Sequence, residues 1–199
     1  MFTTNIKFKN FKKKNKLNRL KKDLKLILSE NNHVIGSLGL NYKYNFDKKN
    51  LSKFKKFSNY RIIGMGGSTL GTQAIYDFLG DKIKKNFTFI DNLQPYKIKD
   101  RNNKRFVNLI VSKSGNTIET IANANIFIKK NEKNIFITEN KRNYLNILAK
   151  KLKSEIIHHN NFIGGRYSVL SEVGMLPAEL MGLSSIKFKQ LNNLINNKF

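Results

Sequence analysis

The chain has 199 residues and a formal charge of +25, and its length fits one ordinary domain with a modest extension. Because 40% of its residues are hydrophobic, a wholly disordered chain is not expected. The absence of Cys excludes a disulfide framework, a thiolate metal site and a cysteine nucleophile, and three His leave little for a histidine metal site. No apolar run approaches the roughly 18–20 residues of a membrane span and the first residues lack the apolar core of a secretory signal, so we expect a cytoplasmic protein.

The positive charge has two explanations. The chain holds 32 Lys, 29 Asn and 22 Ile, all encoded by A/T-rich codons, so compositional drift of the source genome can produce the charge without a function. A nucleic-acid groove is the alternative, but the lysines of the more basic N-terminal third are scattered between apolar positions. We therefore favour codon drift and a solvated face, whose positive field would still steer anionic substrates.

Residues 1–55 are interpreted as a helical extension. Apolar residues recur at helical spacing, with Lys on the intervening positions, and Gly36 and Gly39 then end the pattern. We expect this stripe to pack against the main domain rather than on a membrane surface. Its members are Leu17, Leu20, Leu24, Ile27 and Leu28.

Residues 56–185 are predicted to form an α/β domain, followed at 186–199 by the truncated start of another helix. Apolar runs of strand length alternate with helical segments, and continuous apolar strands separated by helices predict a parallel sheet covered on both faces. The architecture is therefore an open, doubly wound sheet of five strands. The strands are predicted at 61–65, 87–91, 106–111, 134–138 and 155–158, and the helices near 70–79, 118–130, 144–152 and 173–181.

The first turn with chemical potential is Gly64–Ser68, GMGGS, at the end of the first strand. Ligands of such sheets bind beyond the carboxyl ends of the strands. Glycines let backbone N–H groups approach an anion closely, and Ser68 adds a hydroxyl near a helix start. The turn is not a dinucleotide fingerprint, because Thr69 stands where a third glycine is needed.

The second turn is Ser112–Thr120, SKSGNTIET, after the third strand. Its hydroxyls can donate to phosphate oxygens, while the free N–H groups and dipole of the following helix favour negative charge. The alternative is simple capping, in which Asn116 or Thr117 caps the helix and Glu119 or Thr120 completes a capping box. A cap needs one or two such residues, so we favour an anion site.

The third segment runs from Phe162 to Ser171 and places two glycines before Arg166. Arg is scarce, six against 32 Lys, and drift toward Lys would erode unnecessary arginines. A retained Arg suggests a need for its planar fork. An Arg that caps a helix or pairs on the surface is the alternative.

These segments resemble the glucose-6-phosphate isomerase family, whose halves have the sugar isomerase fold of flavodoxin-like type. Gly64–Ser68 looks like its first glycine turn, Ser112–Thr120 like its serine-rich phosphate loop, and IGGRYSVLSEVGMLP at Ile163–Pro177 like its glycine-arginine signature. The resemblance covers roughly residues 35–185. The smaller bifunctional phosphoglucose/phosphomannose isomerases share the first two turns but are not expected to carry the third.

The resemblance implies interconversion of glucose 6-phosphate and fructose 6-phosphate through a cis-enediolate, in glycolysis and gluconeogenesis, without cofactor or metal. It implies that Arg166 stabilises the enediolate and that Glu119 orients a ring-opening group. The sugar phosphate would be held by Gly67, Ser68, Ser112, Lys113, Ser114, Thr117, Thr120 and Gly165.

The sequence departs from the family in one respect. The family's catalytic glutamate, ring-opening histidine and late lysine follow the glycine-arginine signature, whereas this sequence ends 33 residues after Arg166. Glu172 and Glu179 are interpreted as helix residues, and His158 and His159 as the end of the fifth strand. We therefore expect an N-terminal half of the enzyme, with negligible turnover alone and a family-type homodimer only when the other half is supplied.

Two other functions stay open at this point. A lone sugar isomerase domain can be a non-catalytic sugar-phosphate sensor. A nucleic-acid-binding protein would need basic residues interleaved with exposed aromatics, and only the stretch around Lys53–Tyr60 faintly offers that pattern.

Overall fold

A computed structural model describes residues 17–30, 32–93, 105–129 and 132–190. Five strands form one sheet in which every neighbouring pair is parallel. The predicted α/β class and strand number are confirmed, with bounds that shift by at most two residues. The strands are β1 (Asn59–Gly64), β2 (Asn86–Ile90), β3 (Phe106–Val111), β4 (Lys133–Glu139) and β5 (Glu155–His159).

The strand order is β2-β1-β3-β4-β5, the order of a flavodoxin-like sheet. The order reverses between β1 and β3, so the chain leaves these adjacent strands towards opposite faces. Gly64 pairs with Val111 at the carboxyl end of the two strands, which brings the two predicted turns side by side.

Seven α-helices accompany the sheet within the described residues, and none of them is long and apolar enough to cross a membrane. They are α1 (Leu17–Ser29), α2 (His33–Ser37), α3 (Lys48–Lys55), α4 (Leu70–Phe78), α5 (Ile118–Phe127), α6 (Tyr144–Lys151) and α7 (Glu172–Met181). Short 3-10 helices occupy Gly66–Ser68, Gly80–Lys82, Gly165–Leu170 and Ser185–Phe188.

Each face of the sheet has its own core. On one face, α3, α4 and α7 bury residues such as Leu51, Ile75 and Met175 against the strands. On the other face, α5 and α6 contribute Ala124 and Leu145. Because both faces are covered, the central strands are apolar almost throughout, which is why the sequence shows continuous apolar runs rather than alternation.

The helix predicted in the extension is present as α1, but its predicted packing is wrong for two residues of the stripe. Leu20 is 66% exposed and Ile27 is 46% exposed, whereas Leu24 and Leu28 are half-buried. The helical period was correct, but amphipathic spacing alone does not provide a surface to pack against.

Two of the three aromatic residues in the stretch around Lys53–Tyr60 lie in the core, and the third, Phe57, is half-buried against it. Phe54 is 3% exposed and Tyr60 is fully buried, with its hydroxyl donating to the Phe54 carbonyl at 2.8 Å. Base stacking needs exposed rings, so this stretch does not support the nucleic-acid alternative.

Two sequence predictions fall largely on residues outside the described ones. The polar link predicted at 92–105 is described only at 92–93 and 105, and the predicted final helix only through Gln190, where a 3-10 helix covers Ser185–Phe188. The boundaries at residues 55 and 185 stay predictions.

A buried polar network lies near the amino-terminal ends of β1, β3 and β4. Arg61 on β1 is 4% exposed, and its Nη1 donates to Asn108 Oδ1 at 2.8 Å. Glu132 accepts a hydrogen bond from Asn108 Nδ2 at 2.8 Å and pairs with Arg61 at 3.4 Å. Both charged side chains are almost fully buried, so each depends on the other for compensation.

We expect Glu132→Ala to lower the free energy of unfolding by about 3–5 kcal/mol, because it leaves a buried guanidinium without its counter-ion. The control is Glu155→Ala, which removes a shorter ion pair, 2.6 Å to the exposed Lys53, from a half-buried position. That variant should lose about 1 kcal/mol or less, since water screens the pair. Urea unfolding measures both, and equal losses would contradict the assignment.

A buried lysine joins the segment after α7 to the chain before α3. Lys189 is 4% exposed, and its Nζ donates to the carbonyls of Ser37 and Leu170, the latter at 2.8 Å. Burial lowers its pKa to about 8, and the attraction of Glu172 only partly opposes that effect. The folded protein therefore binds this proton less tightly than the unfolded chain does.

Because the unfolded chain holds more protons above pH 8, the Lys189 contribution to the free energy of unfolding should rise with pH. We expect a rise of about 2 kcal/mol between pH 8 and pH 10 relative to Lys189→Met. Urea unfolding at several pH values measures it. Lys187→Met, at an exposed neighbouring lysine, should keep the pH dependence of the unchanged protein. A Lys189→Met profile parallel to the unchanged protein's would contradict this account.

Candidate active site

The candidate site lies at the carboxyl edge of the sheet, where β1 and β3 end next to each other. At the end of β1, Gly66 has a φ of +55°, in the region that favours glycine. The Ser68 N–H donates to the Met65 carbonyl at 3.1 Å and closes a tight turn into α4. The Ser68 hydroxyl is half-buried and has no hydrogen-bond partner among the residues that the structure describes.

This glycine turn touches the glycine-arginine segment directly. A Cβ on Gly67 would lie 2.4 Å from the carbonyl carbon and oxygen of Gly165 and 3.0 Å from the Arg166 nitrogen. Ser168 strengthens the contact, because its hydroxyl lies 2.6 Å from the Gly165 carbonyl oxygen and 3.3 Å from that of Gly67. Only glycine fits at position 67, and the contact places the Arg166 backbone beside the first turn.

Arg166 itself projects from a 3-10 helix and is exposed. Within the described ranges, its guanidinium has neither a carboxylate nor a carbonyl partner, which argues against the alternative of a capping or surface-paired arginine. A Cβ on Gly165 would meet only the Gly67 Cα, at 4.0 Å. The protein therefore leaves room at this glycine.

Two more glycines lie very close to Val169 of the 3-10 helix. A Cβ on Gly71 would lie 2.7 Å from Val169 Cγ2, and one on Gly174 would lie 2.1 Å from the Val169 carbonyl oxygen. These glycines belong to α4 and α7. The sequence analysis did not single them out, because nothing in the linear pattern shows that the two helices meet at Val169.

The serine loop after β3 is organised around the hydroxyl of Ser112. Ser112 Oγ lies 2.9 Å from Thr117 Oγ1 and accepts a hydrogen bond from the Gly115 N–H at 3.2 Å. Ser114 is exposed, and its hydroxyl accepts the Asn116 N–H at 3.3 Å. The structure thus joins Ser112 with Thr117 and leaves Ser114 at the surface of the same loop.

The first turn of α5 is left open by its cap residue. Thr117 precedes the helix but makes no side-chain cap hydrogen bond, because its hydroxyl is directed to Ser112. Asn116 accepts instead from the Tyr144 N–H at 3.0 Å. The capping alternative is therefore not observed, and the N–H groups of the first turn stay available to an anion.

Two further predicted residues lie on α5. Thr120 is 1% exposed, and no hydrogen-bond partner of its hydroxyl is found in the described part of the chain. Glu119 is half-buried. No hydrogen bond joins Thr120 to Ser112 or Thr117, so its predicted place on the phosphate stays a prediction.

Lys113 supplies a fixed positive charge beside the loop. Its ammonium lies 3.4 Å from Glu139 Oε1, and Lys141 lies 2.8 Å from the other oxygen of that carboxylate. Burial alone would raise the pKa of Glu139, but the two lysines outweigh it and hold the pKa below its ordinary value. Glu139 stays ionised and keeps the lysine at the mouth of the loop.

Asn143 packs against Gly115 of the serine loop, a contact that the sequence analysis missed. Gly115 has a φ of +68°, and a Cβ there would lie 2.2 Å from Asn143 Cγ. The Asn143 amide donates to Thr138 Oγ1 at 3.1 Å, and its oxygen accepts the Asn146 N–H at 2.8 Å. The available signal was an Asn directly before a helical pattern, which indicates a cap rather than contact with a distant glycine.

Within the described ranges, no group of three His, Asp or Glu side chains could hold a metal ion. The candidate site combines hydroxyls, an open helix start, a lysine and an arginine. This combination suits a phosphate and a second developing negative charge.

Comparisons with solved structures support the fold. A hypothetical protein from Thermus thermophilus superposes with a TM-score of 0.64 at 23% identity, covering 90% of this chain and 45% of that one. Tagatose-6-phosphate ketose/aldose isomerase from Escherichia coli superposes with a TM-score of 0.55 at 18% identity, covering 73% and 44%.

Sequence comparisons reach the family. Glucose-6-phosphate isomerase of Methanocaldococcus jannaschii is 34% identical over 167 residues, which is 78% of this chain and 40% of that protein. The Borreliella afzelii enzyme of the same name is 36% identical over 61% of this chain and 26% of its own length. The chain thus spans less than half of these relatives. The sequence model described as phosphoglucose isomerase matches residues 47–197, and the chain belongs to this family.

Proposed function

We propose that the chain supplies the phosphate-holding and charge-stabilising part of an isomerase that interconverts glucose 6-phosphate and fructose 6-phosphate. The contact between Gly67 and Gly165 carries this proposal, because it places the arginine segment beside the first turn, which adjoins the serine loop. Anion-binding groups from three separate segments then share one edge of the sheet.

In the proposal, the substrate phosphate binds at the start of α5. Hydroxyls of Ser114 and Thr117 donate to its oxygens, together with the open N–H groups of the first helical turn, while the Ser112 hydroxyl donates to Thr117 Oγ1 and holds that side chain in place. Lys113 attracts the phosphate by its positive charge, without a direct hydrogen bond. Thr120 completes the phosphate pocket on its buried side. Ser68 and Gly67 line the sugar.

The proposed chemistry moves a proton between two adjacent carbons through a cis-enediolate. Arg166 stabilises the negative charge that develops on the enediolate oxygens, since its guanidinium presents two parallel donors. Glu119 orients a group for ring opening. The family resemblance assigns the proton-transferring base to a segment that this sequence does not contain, so the chain contributes the anchor and the cation. We place the reaction in the cytoplasm, in glycolysis and gluconeogenesis.

Thr117 offers a test of the phosphate site with the 199-residue chain. We expect Thr117→Val to weaken binding of glucose 6-phosphate by about 10- to 100-fold, because a hydrogen bond to a charged group is worth about 1.5–3 kcal/mol. Thr117→Ser keeps the hydroxyl and should bind nearly as the unchanged chain does. Isothermal titration calorimetry measures both.

Glucose without the phosphate should bind to none of these chains. A control variant, Ser58→Ala, removes an exposed hydroxyl at the opposite edge of the same sheet and should leave the affinity unchanged. If Thr117→Val bound glucose 6-phosphate as tightly as the unchanged chain does, the proposal that this loop holds the phosphate would be wrong.

Arg166 is tested in a longer protein in which this chain is completed by the remainder found in its relatives. We expect Arg166→Lys to lower kcat by about 100- to 1000-fold with a smaller effect on KM, because the charge remains while the planar fork is lost. A coupled assay of fructose 6-phosphate formation measures this. A normal kcat would reduce Arg166 to a structural residue.

A further inference from the structure

The segment that carries Arg166 is held at both ends by buried ionisable side chains. At its start, His159 Nε2 lies 3.1 Å from the carbonyl oxygen of Ile163. At its end, Lys189 donates to the carbonyl of Leu170 at 2.8 Å. Neither group touches the predicted site, so both act on the backbone that leads into it.

Glu172, the first residue of α7, contacts His159, and its charge also attracts Lys189. It is fully buried, and its Oε2 lies 3.4 Å from His159 Nδ1. The Tyr42 hydroxyl lies 3.1 Å from each carboxylate oxygen, and the Asn45 N–H donates to Oε1 at 3.2 Å. A buried carboxylate thus joins the signature segment, the end of β5 and the chain before α3.

The hydrogen bonds determine where the protons lie. A carbonyl oxygen only accepts, so His159 Nε2 carries a proton. Donors from Tyr42 and Asn45 favour an ionised Glu172, and an unprotonated Nδ1 would then present its lone pair to a carboxylate. The stable arrangement has a proton on Nδ1 as well, which makes His159 an imidazolium paired with Glu172.

The electrostatics agree with this geometry. Burial alone would raise the pKa of Glu172, but the hydrogen bonds from His159 and from backbone N–H groups outweigh it and lower the pKa. The other groups that face the cluster are Lys189, over the rings of Tyr42 and Tyr44 at 4.9 and 5.0 Å, and Glu179, which acts on Tyr44. Lys48 and Lys55 already pair with Glu179.

We propose that Glu172 is a positioning residue, which acts through His159 to fix the segment that presents Arg166. The inference rests on the proposed function, because the position of Arg166 matters only where its guanidinium meets a substrate. Arg166 has no side-chain partner of its own in the described part of the chain, so the backbone alone sets its place. A change in the charge of Glu172 should therefore move that backbone.

The decisive experiment is NMR on the labelled 199-residue chain without any ligand. At neutral pH, both ring nitrogens of His159 should give the signals of protonated nitrogens. Glu172→Gln keeps the size and an acceptor oxygen but removes the charge, so one ring nitrogen should lose its proton. The amide signals of Gly165 and Arg166 should shift in the same variant.

Glu179→Gln is the matched control, because Glu179 is the other buried glutamate of α7, 5% exposed, and contacts Lys48 and Ser185 instead. It should leave the His159 ring and the Gly165 and Arg166 amides where they are. Equal shifts in both variants, or a single protonated nitrogen in the unchanged chain, would overturn the proposal.

A second measurement needs no variant. When the unchanged chain is acidified, protonation of the Glu172 carboxylate and the shifts of the Gly165 and Arg166 amides should share one midpoint, and separate midpoints would overturn the proposal. A titration with glucose 6-phosphate keeps the two proposals apart. Failure to bind the sugar phosphate would count against the proposed function, while the ligand-free signals still decide the role of Glu172.

Discussion

The contact between Gly67 and Gly165 is the constraint on which the site depends. Two backbones approach so closely that no Cβ fits between them, and nearly one hundred residues of chain separate them. This approach turns the carboxyl edge of a parallel sheet, where ligands of such folds generally bind, into a site with an arginine. Close packing around Val169 holds the arginine segment against α4 and α7.

The positive charge at the serine loop also depends on contacts within the protein. Hydrogen bonds within the serine loop join the Ser112 hydroxyl to the Thr117 hydroxyl and to the Gly115 N–H, and this leaves the start of α5 uncapped. The uncapped helix start and the Lys113 ammonium, which pairs with Glu139, are the positive groups beside this loop. The charge of +25 is therefore not needed for the anion site that we propose here.

The sheet and the turns could be predicted from the sequence because both leave local signals in it. Continuous apolar runs indicate buried parallel strands, and glycines and hydroxyls directly after them mark the ligand edge. The contact of Asn143 with Gly115 and the pairing of Glu172 with His159 could not be predicted, because these residues lie apart in the sequence and meet only in the fold. The sequence analysis also placed Leu20 and Ile27 against a core that they do not reach, since periodicity shows an apolar face but not its partner.

We propose that the three segments form one sugar-phosphate site. The most direct measurement is an amide NMR titration of the 199-residue chain with glucose 6-phosphate. We expect shifts at Gly66–Ser68, at Ser112–Thr117 and at Gly165 and Arg166, all saturating together. Shifts that instead cluster in the basic cleft lined by Lys53, Lys56 and Lys153, with the three segments unmoved, would contradict the proposal.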